Sequence, residues 1–172
     1  MTDSVRFKIN GLDEFQEKLA KLADEKRIRN AARRAVRRGA NVVAQAAKRN
    51  AQSIDDPKTR EAIYKNVAVR GGGSKRERRV GGAMMRVGIR GGARNMSKYG
   101  EFKGKGSANP GGDTWYWRLI EFGFTHKRSG KRVPANAFMR RAMAEKADQA
   151  VSTIAKAANT ELDKEIAKIN VP

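Results

Sequence analysis

The sequence predicts an α+β fold, a small antiparallel sheet packed against two long helices, with long basic glycine-rich loops. Three observations carry that expectation. Two proline-free, alanine-rich stretches near 26–52 and 136–169 repeat apolar residues at helical spacing. Two short β-prone runs lie between them, Ile63 to Val69 and Met85 to Ile89. Glycine-rich segments at 71–82 and 91–112 separate the remaining elements. At 172 residues the chain is expected to form a single domain.

In chain order, Val5, Phe7 and Ile9 alternate with Arg6 and Lys8, which reads as a short strand turned by Asn10-Gly11. Leu12, Phe15, Leu19 and Leu22 then share a helical face. From Lys26 to Gln52 the apolar stripe consists of small residues such as Ala32, Ala35, Val43 and Ala47, suited to close helix packing. Gly39 weakens that helix by about 1 kcal/mol relative to alanine. The runs at 63–69 and 85–89 suggest a β-hairpin, and its tip, GGGSKRERRVGG, reads as a flexible basic loop. Residues 91–112 are too poor in apolar side chains to pack, and read as an arm that orders on assembly.

Asp113 or Thr114 can cap a short helix bearing Trp115, Leu119 and Phe122 on one side, with Tyr116 and Ile120 beside them, and Gly123 can end it. After the basic loop THKRSGKRVP the last helix is expected over about 136–169. Its apolar face reads Met139, Met143, Ala147, Ala150, Ile154, Ala157, Leu162, Ile166 and Ile169. Pro134 stiffens the end of the loop, and Phe138 with Met139 is expected to dock the helix start near Trp115 and Phe122. The aromatic cluster is thus a packing clasp.

Charge narrows the classes of function. Lysine and arginine total 38 against 18 acidic residues, a formal net charge of +20, which favours polyanions or acidic protein surfaces as partners. Residues 26–52 hold nine basic side chains and no acidic one. Arg33, Arg34, Arg37 and Arg38 therefore cannot be neutralised within their own helix and must face water, an anion or an acidic surface. Lys75, Arg76, Arg78 and Arg79 of the hairpin tip are the other candidate contacts for a partner or for DNA. No zinc-finger spacing, aromatic RNA-recognition signature or helix-turn-helix pattern accompanies the charge.

Catalysis finds no support. There is no cysteine, which excludes disulfides, thiol nucleophiles and thiolate metal sites. His126 is the sole histidine and reads as a surface residue in a basic loop. The segment GEFKGKGS at 100–107 lacks the spacing of a nucleotide-binding loop, because Gly106 stands where serine or threonine should follow the lysine. Asp55 and Asp56 read as turn caps. Glu121, almost alone among basic residues, is expected to hold Arg118, a basic loop residue or backbone N–H groups. No cofactor or metal is expected. The polar, acidic N-terminus does not read as a signal peptide, and no stretch reaches the roughly 20 apolar residues needed to span a bilayer.

The order of motifs carries a resemblance. Gly11-Leu12-Asp13-Glu14-Phe15 precedes an alanine-rich helix; later come Glu121-Phe122-Gly123, Pro134-Ala135, and Phe138-Met139-Arg140-Arg141-Ala142 opening the terminal helix. The chain resembles the tail-component family of tailed bacteriophages, the small neck or tail-completion proteins of long-tailed phages. It departs from that pattern at Phe124, where threonine commonly follows the glycine, and at Ala137, where a second proline is usual. The resemblance implies a non-enzymatic virion protein, made in the host cytoplasm, that forms a homo-oligomeric ring, expected to be a hexamer, at the head–tail junction. Its implied neighbours are head-completion, neck or tail-tube proteins, with non-specific contact to phage DNA and no membrane partner. The competing expectation is a free basic nucleic-acid-binding protein; a toxin-like nuclease is disfavoured by the missing catalytic cluster.

Overall fold

The computed structural model describes residues 16–18, 20, 24–55, 61–90 and 110–169. Residues 16–18 and 20 are helical, while the strand expected at 5–9 and residues 91–109 of the arm expected at 91–112 lie outside the described residues; Gly111 and Gly112, read as part of that arm, are buried and hydrogen-bonded to Ala62 and Asn66.

Helix α1 spans Glu25–Gln52, close to the expected bounds. Asp24 caps it, its carboxylate accepting from the N–H groups of Lys26 at 2.8 Å and Arg27 at 3.2 Å. The short helix α2, Ile63–Asn66, leads directly into strand β1, Val67–Gly71. Helix α3, Ser74–Val80, precedes strand β2, Met85–Ile89, which pairs antiparallel with β1 so that Val69 faces Val87. Helix α4, Trp117–Phe122, is followed by strands β3, Phe124–Thr125, and β4, Arg132–Val133, which form a second antiparallel pair. Helix α5, Phe138–Ala167, ends the described fold.

The α+β expectation holds: two long helices, α1 and α5, pack along each other, and the β1–β2 hairpin lies against α1. Alternation explains the hairpin's placement. Val67, Val69, Val87 and Ile89 pack with Ala44, Ala46, Ala47 and Ala142, while Arg70 and Arg86 point the other way into solvent.

Three local expectations are corrected. Residues 63–66 form a helical turn and the strand begins at Val67. The hairpin tip, expected to be an unrestrained loop, contains helix α3, whose only carboxylate, Glu77, is buried against α1. The segment 125–134, read as a loop, contains the β3–β4 hairpin.

Gly39 has a packing reason. A Cβ at this position would overlap the Ile154 side chain of α5 and come within 2.8 Å of the Ala150 carbonyl oxygen. The missing side chain lets the two helix backbones approach closely. We expect Gly39→Ala to destabilise the protein by about 1–3 kcal/mol in urea unfolding, despite its better helix propensity. A stabilised variant would mean that the α1–α5 contact is looser than described.

Candidate functional site

The segment singled out around Glu121 joins two helix ends. At the start of α5 the N-cap residue Ala137 has φ 54° and offers no side-chain hydrogen bond. The first N–H groups of the helix therefore need an acceptor from elsewhere. Glu121, 2% exposed, supplies it: Oε2 accepts from the Met139 N–H at 2.9 Å and Oε1 from the Arg140 N–H at 3.1 Å. A carboxylate here is also favoured by the positive end of the helix dipole.

The join runs in both directions. The last carbonyls of α4 are satisfied by the chain entering α5, since the Asn136 N–H donates to the Ile120 oxygen at 2.8 Å and the Ala137 N–H to the Glu121 oxygen at 3.2 Å. Arg140 closes the set, its Nη2 donating to the Glu121 carbonyl at 2.9 Å and its Nε to the carboxylate at 3.2 Å. Of the partners expected for Glu121, backbone N–H groups are found. The arginine is Arg140, while Arg118 lies over the Trp117 ring at 5.5 Å.

Gly123 makes the turn possible. Its φ is 73°, and a Cβ there would stand 2.8 Å from both the Ala135 nitrogen and the Val133 oxygen. Pro134 is an exposed residue at the end of β4, next to this close approach.

The aromatic clasp is present with different members. Phe138 is fully buried with Ala51 and Ile63, and Tyr64, Tyr116, Trp117, Ile120 and Met139 pack around it. Trp115 and Phe122, expected in that core, are 51% and 63% exposed. The reason is phase: α4 begins at Trp117, so Tyr116, Trp117 and Ile120 form its inner side. Leu119 is half-buried. Asp113 and Thr114 do not cap α4 through their side chains. Thr114 instead accepts from the Asn66 amide at 2.8 Å; the same amide holds the Gly112 oxygen at 2.9 Å and, through its own oxygen, the Gly111 N–H at 2.7 Å. Met143 on α5 and Ile169 just beyond its end are also exposed, at 56% and 49%, where the apolar face was expected to bury them.

The arginines of α1 sort into two groups. Arg33 bonds Glu77 of α3, Arg34 bonds both Glu161 and Glu165 of α5, and Arg38 bonds Glu161 at 2.6 Å. Of the surroundings left open by the sequence, water, an anion or an acidic surface, Arg33, Arg34 and Arg38 find the acidic one within the same chain, more than a hundred residues away for α5. Arg37 is exposed and has no ion pair among the described residues, like Lys75, Arg76, Arg78 and Arg79 on α3. Charge reversal at Arg33, Arg34 and Arg38 would consequently report on folding, and Arg37 is the position on this stretch that can report on docking.

These pairs shift their carboxylates downward. For Glu77 the Arg33 bond outweighs burial, and for Glu165 the Lys168 bond, helped by Arg34, does the same. Burial pushes Glu161 up, but Arg34, Lys164 and Arg38 together hold it below the ordinary value. A carboxylate with a depressed folded-state pKa contributes stability above its unfolded value, about 4.3, and loses it as pH falls through the folded value. We expect the urea midpoint to be flat at neutral pH and to fall below roughly pH 4, with a shallower fall in a Glu161→Gln/Glu165→Gln variant. Parallel profiles for the two proteins would remove these carboxylates as the cause.

His126 is exposed in the β3–β4 turn, its N–H donating to the Lys131 oxygen at 2.8 Å. Among the described residues no group of histidine, aspartate or glutamate side chains is placed to hold a metal, and no helix is long and apolar enough to cross a membrane.

With this geometry in view, comparison with known families is decisive. The HK97-gp10-like family, described as a bacteriophage HK97-gp10 tail component, matches residues 13–123, well over half of the chain. The chain belongs to that family. Searches of curated proteins and of solved structures each returned no match. The family match takes in α1, the β1–β2 hairpin and α4 as far as Gly123, and stops before Pro134, Phe138 and the rest of α5. As a phage tail component of the HK97-gp10-like family, the protein has a structural role.

Proposed function

We propose that this tail component forms a homo-oligomeric ring, a hexamer, at the head–tail junction of the virion, where it completes or terminates the neck or tail without catalysis. Its neighbours are further copies of itself and the head-completion, neck or tail-tube proteins above and below. Subunits in such a ring meet through two different surfaces, so that head-to-tail contacts close on themselves.

The observation that carries this reading is the exposed apolar surface beside the clasp. Trp115 precedes α4 and Phe122 ends it, and Met143 follows one turn beyond Met139 on α5, each more than half exposed. The Arg140 guanidinium lies 5.2 Å from the Phe122 ring centre. Aromatic residues, methionine and arginine together are the composition of protein interfaces rather than of ordinary surface.

The test is the mass of the full chain by light scattering across salt concentrations, with and without DNA, for the native protein and for Phe122→Ser/Met143→Ser. The expected result is a DNA-independent particle of six 19.0 kDa chains that the double variant disperses. A monomer that binds DNA tightly would favour the free nucleic-acid-binding alternative.

A further inference from the structure

The β1–β2 hairpin contains a feature that folding alone does not account for. In the strand register Arg70 stands directly opposite Arg86, and both are exposed. Opposed residues in an antiparallel pair hold their Cβ atoms roughly 4.5–5.5 Å apart, and like charges so placed are destabilising. Neither arginine has an acidic partner among the described residues. The neighbouring pair on the same face is Ala68 and Gly88, so the two guanidinium groups rise from a floor of small residues.

The rest of the arm has the same character. Between Arg70 and Arg86 the chain adds Lys75, Arg76, Arg78 and Arg79, all exposed on or beside α3. The one acid in this segment, Glu77, is buried against Arg33 and offers the surface no negative charge. The Glu77–Arg33 pair anchors α3 to α1, and so holds the four tip cations in place relative to the Arg70–Arg86 pair.

We infer that the outer face of this hairpin is a binding site for the phosphate backbone of duplex DNA, with the Arg70–Arg86 pair and the α3 cations contacting successive phosphates. The composition of the segment selects phosphates over an acidic protein surface. Protein interfaces have cores depleted of charge and enriched in aromatic residues, whereas residues 67–89 expose six cations and contain no aromatic side chain. Arginine forks match phosphate oxygens two at a time. Contacts to phosphate oxygens carry no sequence information, so binding of this kind is independent of sequence. The inference is separate from ring formation, because it concerns the surface of each subunit in whatever assembly the mass measurement returns.

The experiment is a titration of the full-length protein against a fluorescent 30-base-pair duplex of mixed sequence over a range of salt concentrations. Each lost phosphate contact lowers the slope of log K against log salt by about 0.9, so Arg70→Ser/Arg86→Ser is expected to lower it by about 1.8 and to weaken binding roughly 60-fold at 0.1 M salt. The same variant is expected to fold with an equal or higher unfolding midpoint, since it relieves a like-charge pair. A control with the same change in net charge at two exposed cations elsewhere, Arg128→Ser/Lys156→Ser, keeps the native slope. Equal losses in the two variants would overturn the site, as binding would then follow net charge alone. Displacement of the duplex by poly-glutamate at equal charge concentration would also overturn it, in favour of an acidic protein partner, and so would an absence of binding by the native protein.

Discussion

Phe138→Ala is expected to destabilise the protein by about 3–5 kcal/mol, the largest effect of any single substitution considered for this chain. Phe138 is completely buried where the C-terminal end of α1, helix α2, helix α4 and the start of α5 converge. Truncation removes the apolar area of the ring and leaves a cavity that the neighbours cannot all fill. Ala51 and Ile63 come from α1 and α2, while Tyr116, Trp117 and Ile120 come from a helix whose ends are already tied by backbone hydrogen bonds. Phe138→Leu, which refills much of the volume, should recover a large part of the loss. Urea unfolding of both variants checks this, and a loss under 1 kcal/mol for alanine would mean that the clasp does not hold α5.

Glu121→Ala is expected to cost about 3 kcal/mol by a different route. The substitution leaves the N–H groups of Met139 and Arg140 without their acceptor at a helix whose own N-cap supplies none. Loss of a cap removes about 1–2 kcal/mol, and hydrogen bonds to a charged group are at the strong end of the range. Arg140 is half exposed and can turn to water, which limits the added loss from its broken pair. Glu121→Gln keeps the shape and one acceptor oxygen, so it should fall between the native protein and the alanine variant. Hydrogen exchange locates the effect: Met139 and Arg140 amides lose protection first, while those in the middle of α1 change least. Uniform loss along the whole chain would argue against a capping role.

Much of this architecture was legible in the sequence. The long helices declared themselves through uninterrupted small apolar residues at helical spacing, and the β1–β2 pair through alternation between glycines. Gly123 and Glu121 stood out because one is a glycine closing an aromatic helix and the other an isolated acid among cations. Two kinds of information were missing. The phase of a six-residue helix depends on where it begins, so a start at Trp117 turned Trp115 and Phe122 outward and Tyr116 and Trp117 inward. Pairing across long separations is also invisible to local pattern: nothing near Arg34 indicates Glu161. Glu161 and Glu165 do share one side of α5 with the apolar residue Leu162, and acids beside such a stripe are the signal that points to a basic helix as its partner. The helix at the hairpin tip was hidden by its flanking glycines, which suggested freedom where Glu77 supplies an anchor.

The bond between Arg34 and Glu161 joins residues separated by 127 positions. During synthesis α1 therefore emerges with its α5-facing side uncovered and with Arg34 and Arg38 unpaired, and stays so until α5 has been made. At typical elongation rates of about 5–20 residues per second that interval is on the order of ten seconds. Closing so long a loop is entropically slow as well as late. The nascent chain is accordingly a cationic helix in search of acid for most of its time on the ribosome, and the order of its elements makes completion of the last helix the event that commits it to fold.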